Sequence, residues 1–338
     1  MRRVLIYIAF LSTLLSCSDD KVDNVVLPRL TMVTSVNGLG DMGYYDKIMG
    51  GVMNFYEQHD LEMNLICPQD EEEVKQIIST WQNETRNEHK SLLLLADSEY
   101  ESILRQTDIV LSESQRILLF ESRSTDLPDR VYTFYINRYG VSYLAGCMAR
   151  EHKSATIIAA MSDNPLLEES IKGFSDGYKS AGNDSNVNVV YLSTDETGFS
   201  MPDATFRIAG DIENSFILPL AGGSNSGIYK YSRETPFYLS LIAGMDTDCS
   251  LLSPRIPFSV VINIDRLVEQ YLSDWYNGIE YAKNEVYGLE DGVTDIVISP
   301  VFYERIDIWQ DYYSDPSYWS NAYADNMEEA KEKEARDE

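Results

Sequence analysis

Three short glycine-bearing loops hold most of the residues on which recognition chemistry could be built. The first reads Gly38-Leu39-Gly40-Asp41-Met42-Gly43-Tyr44-Tyr45-Asp46 and leads into an amphipathic helix running through Tyr56. Its glycines let the backbone turn tightly and come close to a guest. Asp41 and Asp46 supply acceptors, and Tyr44 and Tyr45 offer flat faces. A phosphate cradle is the rival reading, disfavoured because no Lys-Ser/Thr pair follows the glycines and two aspartates would repel the phosphate. The second loop, Ala221-Gly222-Gly223-Ser224-Asn225-Ser226-Gly227, and the third, Ala243-Gly244-Met245-Asp246-Thr247-Asp248, each follow an apolar run. Such loops, converging from strand ends, suit the recognition of hydroxyls and ring nitrogens.

Bond-making chemistry has less to work with. The histidines His59, His89 and His152 are scattered, and Cys17, Cys67, Cys147 and Cys249 lie far apart. No zinc-type spacing can be drawn, so neither a metal nor a cofactor is expected. A hydrolase would have to use acid pairs such as Asp41/Asp46 or Asp246/Asp248, and release of free base from a nucleoside would reveal it. The formal charge of −28 repels the phosphate backbone, which excludes nucleic acid as a partner.

The elements that must position these loops are short apolar runs: Leu30 to Val36, Met63 to Cys67, Leu92 to Ala96, Ile117 to Phe120, Thr156 to Met161, Val187 to Leu192, Phe216 to Leu220, Leu239 to Ala243, Phe258 to Ile264 and Thr294 to Ser299. Most lack period-2 alternation, as strands covered on both faces do. Helical stripes intervene, for example Leu267, Val268, Tyr271, Leu272, Trp275, Tyr276 and Ile279. Repeated βα alternation predicts an α/β protein with mostly parallel sheets wrapped by helices and ligands at the strands' carboxyl ends. The runs exceed one comfortable sheet, and Asn137 to Gly140 falls between two groups, so two lobes joined by a tight hinge are expected.

The order of the motifs is informative. Arg138-Tyr139-Gly140-Val141-Ser142-Tyr143-Leu144-Ala145-Gly146, Met161 through Pro165 with Gly173-Phe174 and Gly177, Gly198-Phe199-Ser200-Met201-Pro202, Gly222-Gly223, Gly244-x-Asp246-x-Asp248 and Ser259-Val260-Val261 follow the first loop in sequence. Taken together over about residues 29 to 308, they resemble the basic-membrane-protein family of substrate-binding lipoproteins, which includes purine nucleoside receptors. The resemblance implies a type I periplasmic-binding-protein-like fold, two lobes hinged by several crossovers. It further implies a non-enzymatic protein that captures a small planar, hydroxylated, nucleoside-like ligand for uptake through an ABC permease.

By that resemblance Tyr44 and Phe199 sandwich a flat ring and Asp246 accepts from sugar hydroxyls. Asp97 is the nearest candidate for the family's acidic contact after the third strand. Asp41, Tyr45, Asp46, Gly222, Gly223 and Asn225 complete the expected ligand-binding set. Two departures change the pocket: Tyr45 stands at an asparagine position, and Ile262 stands where the family carries a ligand-contacting lysine. A surface sensor or interaction lipoprotein, keeping the fold with a changed or lost ligand, is the alternative.

The address is read at the start. Arg2-Arg3, an apolar stretch from Val4 to Leu15, and Leu14-Leu15-Ser16-Cys17 form a secretory signal whose end resembles a lipobox. Residues 1–16 are expected to be a signal peptide, Cys17 the lipidated first residue (palmitate), and 17–28 an anchor linker. Ser18-Asp19-Asp20-Lys21 resembles an export tract to the outer cell surface. The expected location is thus the bacterial cell envelope, on a membrane through lipid alone. Lobe 1 is expected from 29–138 plus about 249–285, lobe 2 from 139–248 plus about 286–320, and a fraying charged tail from 321–338. The late aromatics Phe302, Tyr303, Trp309, Tyr312, Tyr313, Tyr318, Trp319 and Tyr323 are expected to fold back over a lobe, and Cys67, Cys147 and Cys249 to be buried as small hydrophobes.

Overall fold

The computed structural model describes residues 26–36, 38–87, 90–180, 187–235, 240–304, 315 and 317–337. The signal segment, Cys17, most of the linker, Leu239, Trp309, Tyr312 and Tyr313 lie outside the described residues, as does Glu338.

The first lobe is built from β1 (Arg29–Val33), α1 (Tyr44–Tyr56), β2 (Glu62–Ile66), α2 (Glu71–Glu84), β3 (Ser91–Leu95), α3 (Tyr100–Gln106), β4 (Gln115–Phe120) and β5 (Val131–Ile136). All its strands pair in parallel. β3, β4 and β5 are buried at every position, which explains their lack of alternation: helices cover both faces. The Asp70 side chain caps α2 by accepting from the Glu73 amide at 2.9 Å.

After β5 the chain crosses to α4 (Tyr139–Ala149) and builds the second lobe from β6 (Ala155–Met161), α5 (Pro165–Lys179), β7 (Val187–Ser193), α6 (Pro202–Gly210), β8 (Phe216–Leu220), α7 (Asn225–Glu234), β9 (Leu241–Ile242), β10 (Gly244–Asp246) and β11 (Phe258–Ile262). One sheet runs β7-β6-β8-β9. α4 packs flush on α5 because Gly177 presents no side chain; a Cβ there would strike the Tyr143 carbonyl. A second crossing at Asn263 returns the chain to lobe 1 for α8 (Ile264–Asn277) and β12 (Glu285–Tyr287), which pairs in parallel with β5 to complete the order β12-β5-β4-β3-β1-β2. α8 ends at Gly278 with φ +75°, a left-handed cap that glycine adopts without strain. A third crossing at Gly288 leads to β13 (Thr294–Ile298), antiparallel to β11 in the sheet β10-β11-β13, then to α9 (Pro300–Glu304) and α10 (Tyr318–Asp337).

Several expectations differ from this arrangement. The return to lobe 1 comes at Asn263 rather than near residue 249, because β11 pairs with β10 and β13 and buries Phe258 and Val260 in the lobe 2 core. Strands β5, β10 and β12 were not among the expected runs. The charged tail does not fray: it forms α10, whose Trp319 and Ala330 are fully buried against lobe 2 with Phe302 and Phe258. Glu334 is also buried; its Oε2 accepts the Leu289 amide at 2.9 Å, and its carboxylate fills the space that side chains at Gly140 and Gly288 would need. Cys147 and Cys249 are buried, but Cys67 is exposed, since β2 is the sheet edge.

Candidate functional site

The two lobes enclose a cavity of about 500 Å³ at the carboxyl ends of their parallel strands. From lobe 1 come the loop after β1, the turn after β3 and the residue after β4; from lobe 2 come the turns after β6, β7 and β8 and the end of β10. Asp41, Tyr44, Tyr45, Asp97, Phe199, Gly222, Gly223, Asn225 and Asp246 all line it. Asp46 lies outside the lining. Its two carboxylate oxygens accept the amides of Gly40 and Met42, each at 2.8 Å, so it holds the loop instead of facing a guest.

Asp41 is similarly occupied. Its Oδ1 accepts the amides of Gly43 and Asp46 at 2.9 and 3.2 Å, and its Oδ2 accepts that of Tyr45 at 3.0 Å, which ties the loop to the first turn of α1. Tyr44 donates its hydroxyl to Glu121 Oε1 at 2.5 Å. Glu121 in turn receives both terminal nitrogens of Arg138, at 2.7 and 3.1 Å, and the Ile136 amide at 3.1 Å. The Arg138 guanidinium lies 5.6 Å from the centre of the Tyr44 ring, a cation–π distance. Burial, then the Glu121 charge, holds the Tyr44 phenol well above its ordinary range.

Tyr45 donates to Asp97 Oδ2 at 3.1 Å, and the Glu99 amide donates to Asp97 Oδ1 at 3.1 Å. Burial raises the Asp97 carboxyl despite these bonds.

Lobe 2 presents Phe199 from the 3₁₀ turn Glu196–Ser200, with its ring packed over Gly222. Ser224 fixes this turn by donating to the Gly198 carbonyl at 2.7 Å and accepting from the Met201 amide at 2.5 Å. Asn225 Oδ1 accepts the Ala221 amide at 3.0 Å, a role within the loop.

The lobes are closed on one another. A Cβ at Gly43 would come within 2.9 Å of Asp246 Oδ2, and one at Gly223 within 3.7 Å of the Asp41 Cα. Closure brings acids together across the gap. Burial and the Asp41 charge push Asp246 up to about 6, against the pull of Arg138 and Lys47. Glu99 hydrogen-bonds with Glu196 from the other lobe and is pushed up to about 8, first by burial and then by that partner.

Met42, Glu121 and Asp246 have φ of +54°, +57° and +66°, a strained conformation for residues with side chains, and all three line the cavity. Ile262 lines it as well; its carbonyl accepts Lys47 Nζ at 2.6 Å, and Lys47 also pairs with Asp265 at 3.4 Å. Among the described residues no group of three or more histidine, cysteine or acidic side chains is arranged to hold a metal ion.

Sequence reasoning missed Glu121, Arg138, Glu99 and Glu196. Glu121 had a legible signal, since it directly follows the apolar run Ile117 to Phe120 as Asp97 follows Leu92 to Ala96.

The family model Bmp, described as ABC transporter substrate-binding protein PnrA-like, matches residues 29–314. No curated protein sequence matches the chain. The fold is similar to a solute-binding protein of an ABC transporter system from Aeropyrum pernix K1, with TM-score 0.70, 15% identity, and coverage of 91% of this chain and 90% of that one. It is also similar to a transcriptional activator of the comK gene from Bacillus halodurans, with TM-score 0.62, 17% identity, and coverage of 87% and 97%. A sugar-binding protein of a sugar ABC transporter from Bacillus halodurans gives TM-score 0.57 at 15% identity over 84% and 99%. Transporter components and regulators share this architecture, so the fold alone does not choose between them.

Proposed function

The chain belongs to the Bmp family of PnrA-like ABC transporter substrate-binding proteins, and from that premise we propose that it captures a planar, hydroxylated, nucleoside-like ligand between its lobes. The observation that carries this reading is the lining itself. Tyr44 of lobe 1 and Phe199 of lobe 2 open on the same cavity, together with the carboxyl groups of Asp97 and Asp246. Aromatic faces give contact area at little entropic cost, while fixed acceptors orient a polyol. A volume of about 500 Å³ lies within the range of small-molecule sites.

In this reading Tyr44 is the preset platform, because Glu121 and Arg138 fix its ring before the guest arrives. Phe199 closes as the second face. Asp97 and Asp246 take hydroxyl or ring N–H donors. The ligand is handed to an ABC permease, and Cys17, through its lipid, keeps the protein on a membrane of the cell envelope.

Mass spectrometry of small molecules released by denaturing the freshly purified chain tests the reading. A nucleoside in the extract, with rebinding by calorimetry that Phe199→Ala weakens by about tenfold or more, is the expected result. Failure of every nucleoside to bind the emptied protein overturns it.

A further inference from the structure

The charge of the cleft is lopsided. Asp41, Asp97, Glu99, Glu121, Glu196 and Asp246 line it, and Arg138 is the lone cation in that lining. Arg138 is already committed to Glu121 and to the Ile136 carbonyl. Lys47, close by, is committed to the Ile262 carbonyl and Asp265. Asp41 and Asp97 are served by backbone amides and by Tyr45.

Asp246 differs from all of these. Its carboxylate has no hydrogen-bond donor among the described residues, although it lies deep in the closed cleft on a left-handed backbone. It also faces Asp41 across the lobe boundary, as Glu99 faces Glu196. Each of these two contacts takes one acid from each lobe; the Glu99–Glu196 hydrogen bond holds a proton between its partners, whereas Asp246 and Asp41 share no hydrogen bond, so like-charge repulsion between these two appears when the lobes close. A guest that adds negative charge worsens it, and a neutral guest relieves it only through hydrogen bonds. A cation seated between the lobes removes it at the place and moment it arises.

We propose that the natural guest carries a positive charge, on a quaternised ring nitrogen or an ammonium group, and that this charge sits against Asp246. The proposal deepens the reading of a nucleoside-like ligand and rests on it. Asp246 is then both the orienting acceptor and the residue that selects cationic over neutral rings. Its strained φ is consistent with a side chain held toward the cavity by the surrounding fold.

Calorimetric titration of the full chain with matched pairs tests this. Adenosine and 1-methyladenosine share ring and ribose and differ in one methyl group and the positive charge it brings at neutral pH; nicotinamide riboside and its neutral dihydro form make a second pair, with the same sugar and ring substituents, in which the charge comes with no added methyl group. The cationic member of each pair is expected to bind at least tenfold tighter, with the preference shrinking in high salt and lost in Asp246→Asn. Glu196→Gln, at the contact with Glu99, should reduce the preference without abolishing it and serves if Asp246→Asn does not fold. Equal or tighter binding of the neutral members overturns the charge proposal while leaving the nucleoside reading intact. A cationic preference unchanged in these variants overturns the assignment to Asp246. Binding of none of the four overturns both readings.

Discussion

The two walls of the cleft are built differently. On the lobe 1 wall the polar side chains of the first loop and the strand ends are bonded to protein: Asp41 and Asp46 to loop amides, Tyr44 to Glu121 and Arg138, Tyr45 to Asp97. On the lobe 2 wall Phe199 lays an apolar ring over Gly222, and Asp246 keeps its hydrogen-bonding capacity unspent among the described residues. One wall is a preset shape; the other offers open valences. Recognition in such a cleft divides into a template that costs little to hold and a closing face that gains its partners from the guest.

Breaking the template should cost most. Arg138→Ala leaves Glu121, whose side chain is 3% exposed, as a buried carboxylate without its cation, and should destabilise the protein by about 3 to 5 kcal/mol in urea unfolding. A loss under about 1 kcal/mol would mean the lobe 1 wall is not preorganised by this pair. Tyr44→Phe removes one hydroxyl from the same group and should cost about 1 to 2 kcal/mol by the same measurement.

Phe199→Ala should show the reverse profile. Because the ring is only half-buried and lies on the closing face, its melting temperature should shift little while ligand affinity falls.

The pH response separates the walls further. Glu99 at about 8, facing Glu196, Asp97 and Glu71, and Asp246 at about 6, facing Asp41, Arg138 and Lys47, both lie above their unfolded values. The folded, closed protein therefore binds more protons than the unfolded chain between about pH 4 and 8, and its stability contribution from these groups falls as pH rises through that window. The melting temperature of the ligand-free protein should decline from pH 5 to pH 8.5, and Glu196→Gln should flatten the upper part of the decline.

The smallest effect is expected from Asp46→Ala, which removes two bonds on an exposed loop. A loss of about 1 kcal/mol or less by urea unfolding, with a modest drop in ligand affinity as the loop loosens, fits its role as a strut.

Much of this architecture was legible in the chain, and the exceptions have physical causes. The apolar runs announced strands covered on both faces in two lobes, and the glycine loops at their ends marked the cleft. β10 and β12 are three residues each, too short to show any period. Val131 to Ile136 is a run of good strand formers whose tyrosines and threonine disguised its complete burial. The second crossing was misplaced because β11 is as apolar as any lobe 1 strand, and only pairing assigns it. The Glu121–Arg138 pair depends on β4 lying beside β5, a neighbour relation that spacing along the chain does not carry. In the tail, Trp319, Asn326, Ala330 and Glu334 form a buried stripe at helical spacing, masked by charged residues around it and by an acid within it. The first loop's Asp46 had the right type and place for a ligand contact, but its carboxylate found backbone amides nearer than the cavity.

α10 lies beyond the span matched by the family model, and its last turns reach the joint between the lobes. Glu334 grips Gly140 and the Gly288–Leu289 segment, just past the first and third strands that bridge the halves, and Asn137 donates its amide to the Tyr287 carbonyl at 2.8 Å between those same two bridges. The appended helix therefore splints the joint on one side. A swing of the halves about this joint leaves the last turns of α10 beside the pivot, so a dye attached at Arg336 would ride there rather than at the moving rim.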